Sequence, residues 1–115
     1  MLIKQYSTSV NPVDWYVKNG AYDPKYPKCL GGDVAGIVLE ADATSPYKPG
    51  DKVFALTPWY LGSEHSVGGY CEIVSVKEEW LANVPESLPL DEAGGVPLVA
   101  LTAVQVCVTK CGCAQ

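Results

Sequence analysis

A chain of 115 residues, 48% hydrophobic and 18% charged, is long enough for one domain that buries about two thirds of its unfolded surface. Eight basic residues, all of them lysine, stand against thirteen acidic ones for a net charge of −5. That balance repels a phosphate backbone and offers no arginine clamp, so no nucleic-acid partner is expected.

The elements follow in chain order. Ile3–Val10 reads as a strand with Ser/Thr interruptions. Asn11 is placed as an N-cap, with Pro12 at the first helical position, Asp14 in the first turn and the helix continuing to Lys18. Asn19-Gly20 supplies the left-handed stop, and Ala21–Leu30, with two prolines and no periodicity, is a loop. Val34–Ala41 is rich in Val and Ile and nearly all apolar, which predicts a strand buried on both faces. Thr44–Gly50 is a turn and Val53–Leu56 a strand; Pro58–Gly69 is a loop that holds Trp59, Tyr60 and the single histidine, His65. Tyr70–Val76 is predicted to be a strand with Cys71, Ile73 and Ser75 on one face and Tyr70, Glu72, Val74 and Val76 on the other. A short extended piece follows at Leu81–Val84. Asp91 and Glu92 open a helix with negative charge at its positive end, and Gly94-Gly95 and Pro97 break it. Leu98–Val108 is a second helix, apolar nearly all round and therefore expected to be covered.

The longest apolar stretch, Gly94–Val108, is interrupted by Thr102 and Gln105 and is too short and too polar for an integral membrane segment. Met1–Tyr6 has no basic region leading into an apolar block, so no secretory leader is expected. Five cysteines are an odd and unevenly spaced set, which favours reduced thiols in an intracellular compartment over a secreted disulfide framework. Cys107, Cys111 and Cys113 lack a fourth ligand in register, so no zinc site is expected there.

Several residues invite chemistry, each beside a plainer role. Asn11 and Asp14 cap the helix they open, yet the asparagine amide has two donors and two acceptor sites, enough for a second task. Tyr22 is either a half-buried ring with its hydroxyl in water or a donor at a cleft. The Thr102 hydroxyl, in an apolar helix, would bond back to the Leu98 carbonyl. Asp33, beside three glycines, reads as a structural acceptor of backbone N–H groups in a tight turn. Trp59 and Tyr60 either pack under their loop or roof a pocket for an apolar planar molecule.

Taken in order, Asn11-Pro12-Val13-Asp14-Trp15, Gly20-Ala21-Tyr22, Gly32-Asp33-Val34-Ala35-Gly36, Pro49-Gly50-Asp51-Lys52-Val53, Gly68-Gly69-Tyr70-Cys71-Glu72, Pro85-Glu86-Ser87-Leu88 and Leu98–Ala103 form a specific series. The chain resembles the N-terminal, GroES-like catalytic domain of the medium-chain dehydrogenase/reductases, in their zinc-free quinone oxidoreductase and enoyl reductase branch. The resemblance implies a mainly β fold with short helices: a partly open β-barrel, with C-terminal helices leading toward a Rossmann domain absent from this sequence. Residues 1–108 carry it, as a substrate-side domain shortened at its N-terminus, and 109–115 are an unmatched tail. No G-x-G-x-x-G occurs, so NADPH (or NADH) is expected to be bound mainly by polypeptide outside this chain.

By the same resemblance, Asn11 and Tyr22 are the catalytic candidates and Asn11, Asp14, Leu98 and Thr102 the cofactor contacts, with Trp59 and Tyr60 at the substrate pocket. Zinc-dependent relatives carry an imidazole where this chain has Gly32, which cannot ligate metal; no zinc is expected. The implied activity is hydride transfer to a quinone or an α,β-unsaturated carbonyl, by an intact parent open to homodimer formation and cytoplasmic or imported into an organelle. Open beside it stand a piece of a modular fatty-acid or polyketide enoyl reductase, a non-catalytic binding or structural relative, and an independent binding module.

Overall fold

The computed structural model describes residues 1–21, 29–57 and 68–110, with the side chains of 109 and 110 set aside. Tyr22, Trp59, Tyr60 and His65 lie outside the described residues, as do Cys111 and Cys113 and most of the two loops expected at Ala21–Leu30 and Pro58–Gly69. Five strands form one antiparallel sheet: β1 (Leu2–Ser7), β2 (Asp33–Glu40), β3 (Lys52–Leu56), β4 (Ile73–Ser75) and β5 (Leu81–Asn83). Their order is β4-β1-β2-β3-β5. Among the described residues the sheet does not close, and β4 and β5 are its edges. The mainly β, partly open architecture expected from the motif series is what the chain adopts.

Alternation along the strands places one apolar set on a common face. Ile3 sits in register between Val38 of β2 and Val74 of β4, and Ala55 between Val34 of β2 and Leu81 of β5. With Val53 and Val76 these residues form the core. Each buried Val or Ile contributes about 1.5–3 kcal/mol relative to exposure, so this row decides the register.

β2 is the central strand. Asp33, Val34, Ala35 and Gly36 are all buried, which matches the expected two-sided burial at its start; Leu39 and Glu40 are exposed, so the far end departs from it. β1 stops at Ser7 rather than Val10 because hydroxyls divert the chain: Ser7 Oγ donates to the Leu90 carbonyl (2.6 Å) and Thr8 Oγ1 to the Asp33 carbonyl (2.7 Å). The strand predicted over Tyr70–Val76 is reduced to Ile73–Ser75. The Gly69 and Tyr70 amides donate to the Gly31 and Leu30 carbonyls at 2.6 and 2.9 Å, which folds that segment against the start of β2. A 3-10 turn at Glu78–Trp80 precedes β5.

The helices are α1 (Pro12–Lys18), α2 (Leu90–Ala93) and α3 (Pro97–Val104), with α3 widening into a π-helical segment at Gln105–Lys110. Pro97 starts α3, where its missing N–H costs nothing. The Gly94 amide donates to Ser7 Oγ (3.0 Å), tying the α2–α3 junction to the end of β1. The apolar surface expected to be covered is exposed on this chain: Val99, Leu101, Val104, Val106 and Val108 are each about half accessible.

Candidate functional site

Three stretches meet at one end of the sheet: the Ser7–Asp14 segment after β1, the Gly31–Asp33 entry to β2, and the N-terminus of α3. Two carboxylates organise the meeting. Asp14, 3% exposed, is the third residue of α1 and closes a capping box with Asn11. Its Oδ2 accepts the Asn11 backbone N–H (2.8 Å) and the Tyr70 hydroxyl (3.0 Å), while Oδ1 accepts the Gly31 N–H (2.9 Å). A seven-residue helix is marginal by itself, so these bonds, more than propensity, hold α1 in place.

Asp33, fully buried, is the other. Its Oδ2 accepts from Asn11 Nδ2 (2.8 Å) and from Ser9 Oγ, and its Oδ1 accepts the Leu98 backbone N–H (2.7 Å). The expectation of a structural acid that takes backbone N–H groups was right in kind. Its partners, however, lie far along the chain rather than within one tight turn.

Asn11 is buried, and its Nδ2 donates twice, to Asp33 Oδ2 and to Ser9 Oγ (2.9 Å). Both amide hydrogens are therefore engaged inside the protein. The carbonyl oxygen has two lone pairs, so capping the helix does not exhaust its capacity to accept, and Asn11 is among the residues that line the cleft.

That cleft, about 370 Å³, runs between the start of α1 and the flank of α3. Pro12, Val13, Leu56, Leu98 and Leu101 give it apolar walls; Asn11, Thr102 and Gln105 supply its polar groups. Of the expected site residues, Asn11, Leu98 and Thr102 are thus brought together on one cavity, and Asp14 stands one layer behind, holding the α1 turn. Nothing in the sequence pattern pointed to Gln105.

Tyr70 and Ser9 were also missed. Gly31 has φ +95°, and a Cβ there would lie 2.4 Å from Tyr70 Cδ1, so the ring stacks on bare backbone. The facing pairs Gly31-Gly32 and Gly68-Gly69 were the available signal. The Tyr70 hydroxyl has the Ser9 carbonyl (3.0 Å) as a second acceptor beside Asp14. Burial, then the hydrogen bond to Asp14, then the charges of Asp14 and Asp33 push its phenol up to about 12.

A raised phenol keeps its proton in the folded state at a pH where the unfolded chain has lost it. The stability it confers is complete below pH 10 and is lost as pH rises from 10 through 12. Tyr70→Phe is expected to cost about 1–2 kcal/mol at neutral pH, by loss of one hydrogen bond to a charged group. Between pH 10 and 12 the gap between the two proteins should shrink; urea unfolding of both across that range checks it.

Among the described residues no three His, Cys, Asp or Glu side chains converge as a metal-ligating set, and no helix is long and apolar enough to cross a membrane.

Residues 1–86 match the alcohol dehydrogenase GroES-like domain. The chain belongs to that family. The quinone-oxidoreductase homolog, chloroplastic, of Spinacia oleracea is 34% identical over 111 residues, which cover 91% of this chain and 32% of the relative. Acrylyl-CoA reductase AcuI of Ruegeria pomeroyi is 42% identical over 80 residues, covering 70% of this chain and 23% of the relative. The solved structure of the quinone oxidoreductase from Coxiella burnetii superposes with a TM-score of 0.81 at 28% identity, covering 95% of this chain and 35% of that one. This GroES-like chain spans about a third of the length of the curated relatives it matches first.

Proposed function

We propose that residues 1–108 of this GroES-like chain are the substrate-side domain of a zinc-independent NAD(P)H-dependent reductase of quinones or α,β-unsaturated carbonyls, with the dinucleotide's phosphates held by a second domain. The observation that carries the reading is the cleft between α1 and α3, with apolar walls and only Asn11, Thr102 and Gln105 polar. Such a cavity suits a flat ring that bears one amide beside an apolar planar acceptor. The named relatives, reductases of quinones and of an acrylyl thioester, support the same substrate class.

The residues present fit a nicotinamide. Its carboxamide offers two N–H donors, which the free lone pair of Asn11 Oδ1 and the Thr102 hydroxyl can accept, while Gln105 can serve the carboxamide oxygen. Bound NAD(P)H supplies a hydride, which is the redox chemistry of the reaction. Pro12, Val13, Leu56, Leu98 and Leu101 give the ring an apolar wall to lie against. Asn11 acts as an acceptor that orients the ring. It does not polarise the substrate carbonyl, because both of its amide hydrogens are engaged by Asp33 and Ser9. Tyr22 is left as the candidate donor to the oxygen that gains charge, and Trp59 and Tyr60 as the roof of the substrate pocket.

Zinc does not fit this donor set. Gly32 has no side chain, and each carboxylate in the site already accepts three hydrogen bonds. The described cysteines, Cys29, Cys71 and Cys107, are free thiols, which suits a reducing compartment, the cytoplasm or an organelle.

The test assays the intact enzyme carrying this chain for NADPH and NADH oxidation, with a benzoquinone and with an acyclic enone, before and after dialysis against a zinc chelator. Dinucleotide oxidation that survives the chelator is expected. No oxidation with either acceptor, or activity that the chelator abolishes and zinc restores, contradicts the reading.

A further inference from the structure

The buried Asp33 carboxylate touches no part of the cleft surface, yet it is bonded to two groups that build opposite sides of it. On one side it receives the Asn11 amide (2.8 Å), and on the other the Leu98 N–H at the start of α3 (2.7 Å). These partners are 22 and 65 residues away in sequence. We propose that Asp33 is a positioning residue: it fixes which end of the Asn11 carboxamide faces the ligand and holds α1 and α3 at the separation the nicotinamide requires.

A carboxamide is nearly symmetric in shape, so packing alone does not choose between its oxygen and its nitrogen; hydrogen-bond partners choose. A carboxylate only accepts. With Asp33 Oδ2 at its back, Asn11 can present nitrogen inward and nothing but oxygen outward. Ser9 reinforces the choice, because its hydroxyl donates to Asp33 and is left as an acceptor for the other Asn11 N–H. A neutral amide at position 33 would lift the constraint, since it can donate as well as accept. The other oxygen acts on distance. The Leu98 N–H is one of the orphan donors of a helix start, and a buried carboxylate there both satisfies it and complements the helix dipole. Leu98 and Leu101 line the cleft, so the bond sets where that wall stands.

This inference rests on the proposed function for its ligand, but not for its geometry, and the experiment separates the two. The first measurement is hydrogen exchange in the intact protein labelled with 15N-asparagine and 15N-leucine, without ligand. The Asn11 side-chain NH2 and the Leu98 amide should both be protected, and both should exchange at least about 10-fold faster in Asp33→Asn, since each loses a charged acceptor. If either group exchanges freely in the unmutated protein, the proposal is overturned whatever the enzyme does.

The second measurement is a double-mutant cycle on dinucleotide oxidation. Asp33→Asn should lower kcat/KM by about 10- to 100-fold, the loss expected when a hydrogen bond to a charged group is removed. In an Asn11→Ala background the same substitution should cost at least about 3-fold less than it does alone, because one of the two groups it acts through is gone and only the Leu98 bond remains to be lost. An equal fractional loss in both backgrounds would make Asp33 a stabiliser of the fold alone and refute the positioning role. Absence of dinucleotide oxidation in the unmutated enzyme, with protection intact, would refute the proposed function and leave the exchange result to decide this one.

Discussion

Asp14→Ala is expected to destabilise the protein by about 2–6 kcal/mol, the cost of leaving two buried donors without an acceptor. The carboxylate is 3% exposed and receives three donors from three parts of the chain, the Asn11 and Gly31 amides and the Tyr70 hydroxyl. Alanine leaves two buried backbone N–H groups with no acceptor, at about 1–3 kcal/mol each. It also removes half of the capping box that starts α1. Asp14→Asn does not rescue this, because one of its two ends is now a donor pointed at donors. The measurement is the urea midpoint at unchanged m-value. A loss under about 1 kcal/mol would mean that water reaches these groups and that the site is looser than described. Because total stability for a domain of this size is only about 5–15 kcal/mol, the same substitution should empty the cleft of ligand by unfolding as much as by any local effect.

Gly36→Ala is expected to be at least as severe, about 3 kcal/mol or more, by overpacking. A Cβ at this position would lie 2.1 Å from the Lys4 carbonyl oxygen and 2.8 Å from Ile3 Cγ2. Gly36 pairs with Gln5 and Val53 in the middle of the sheet, so the obstacle is backbone and cannot rotate away. Relief requires β1 and β2 to separate, which shifts Ile3 from between Val38 and Val74 and breaks the core row. Gly95→Ala is the control, since its Cβ would meet only the Glu92 carbonyl at 3.4 Å, and it should change stability by less than about 1 kcal/mol. Thermal unfolding of the three proteins side by side checks the contrast.

Both substitutions fall in motifs that were visible in the sequence, and it is instructive which parts of them were readable. Strands at Val34–Val38 and Val53–Leu56 were legible because β-branched runs carry their own burial pattern. The helix start at Asn11-Pro12-x-Asp14 was legible because capping is decided within four residues. The family was legible because the motifs occur in one order along the chain.

What was not legible is decided at long range. Tyr70 was assigned to a strand face with Val74 and Val76, yet its ring leaves the sheet to lie over Gly31 and reach Asp14, 56 residues earlier. The role of Asp33 was assigned to its neighbouring glycines, whereas its donors come from Ser9, Asn11 and Leu98. No periodicity announces contacts of that kind. The functional reading of Asn11 likewise turned on which end of an amide faces a carboxylate, a fact that exists only once the two segments meet.

The most direct measurement is a titration of NADPH into the intact protein carrying 13C-methyl labels on valine and leucine. The methyl resonances of Val13, Leu56, Leu98 and Leu101, which line the cleft, should shift together as the dinucleotide binds, while those of Val74 and Val76 in the core stay where they are. Binding that moves other methyls and leaves these four untouched, or no binding at millimolar NADPH, would contradict the proposed function.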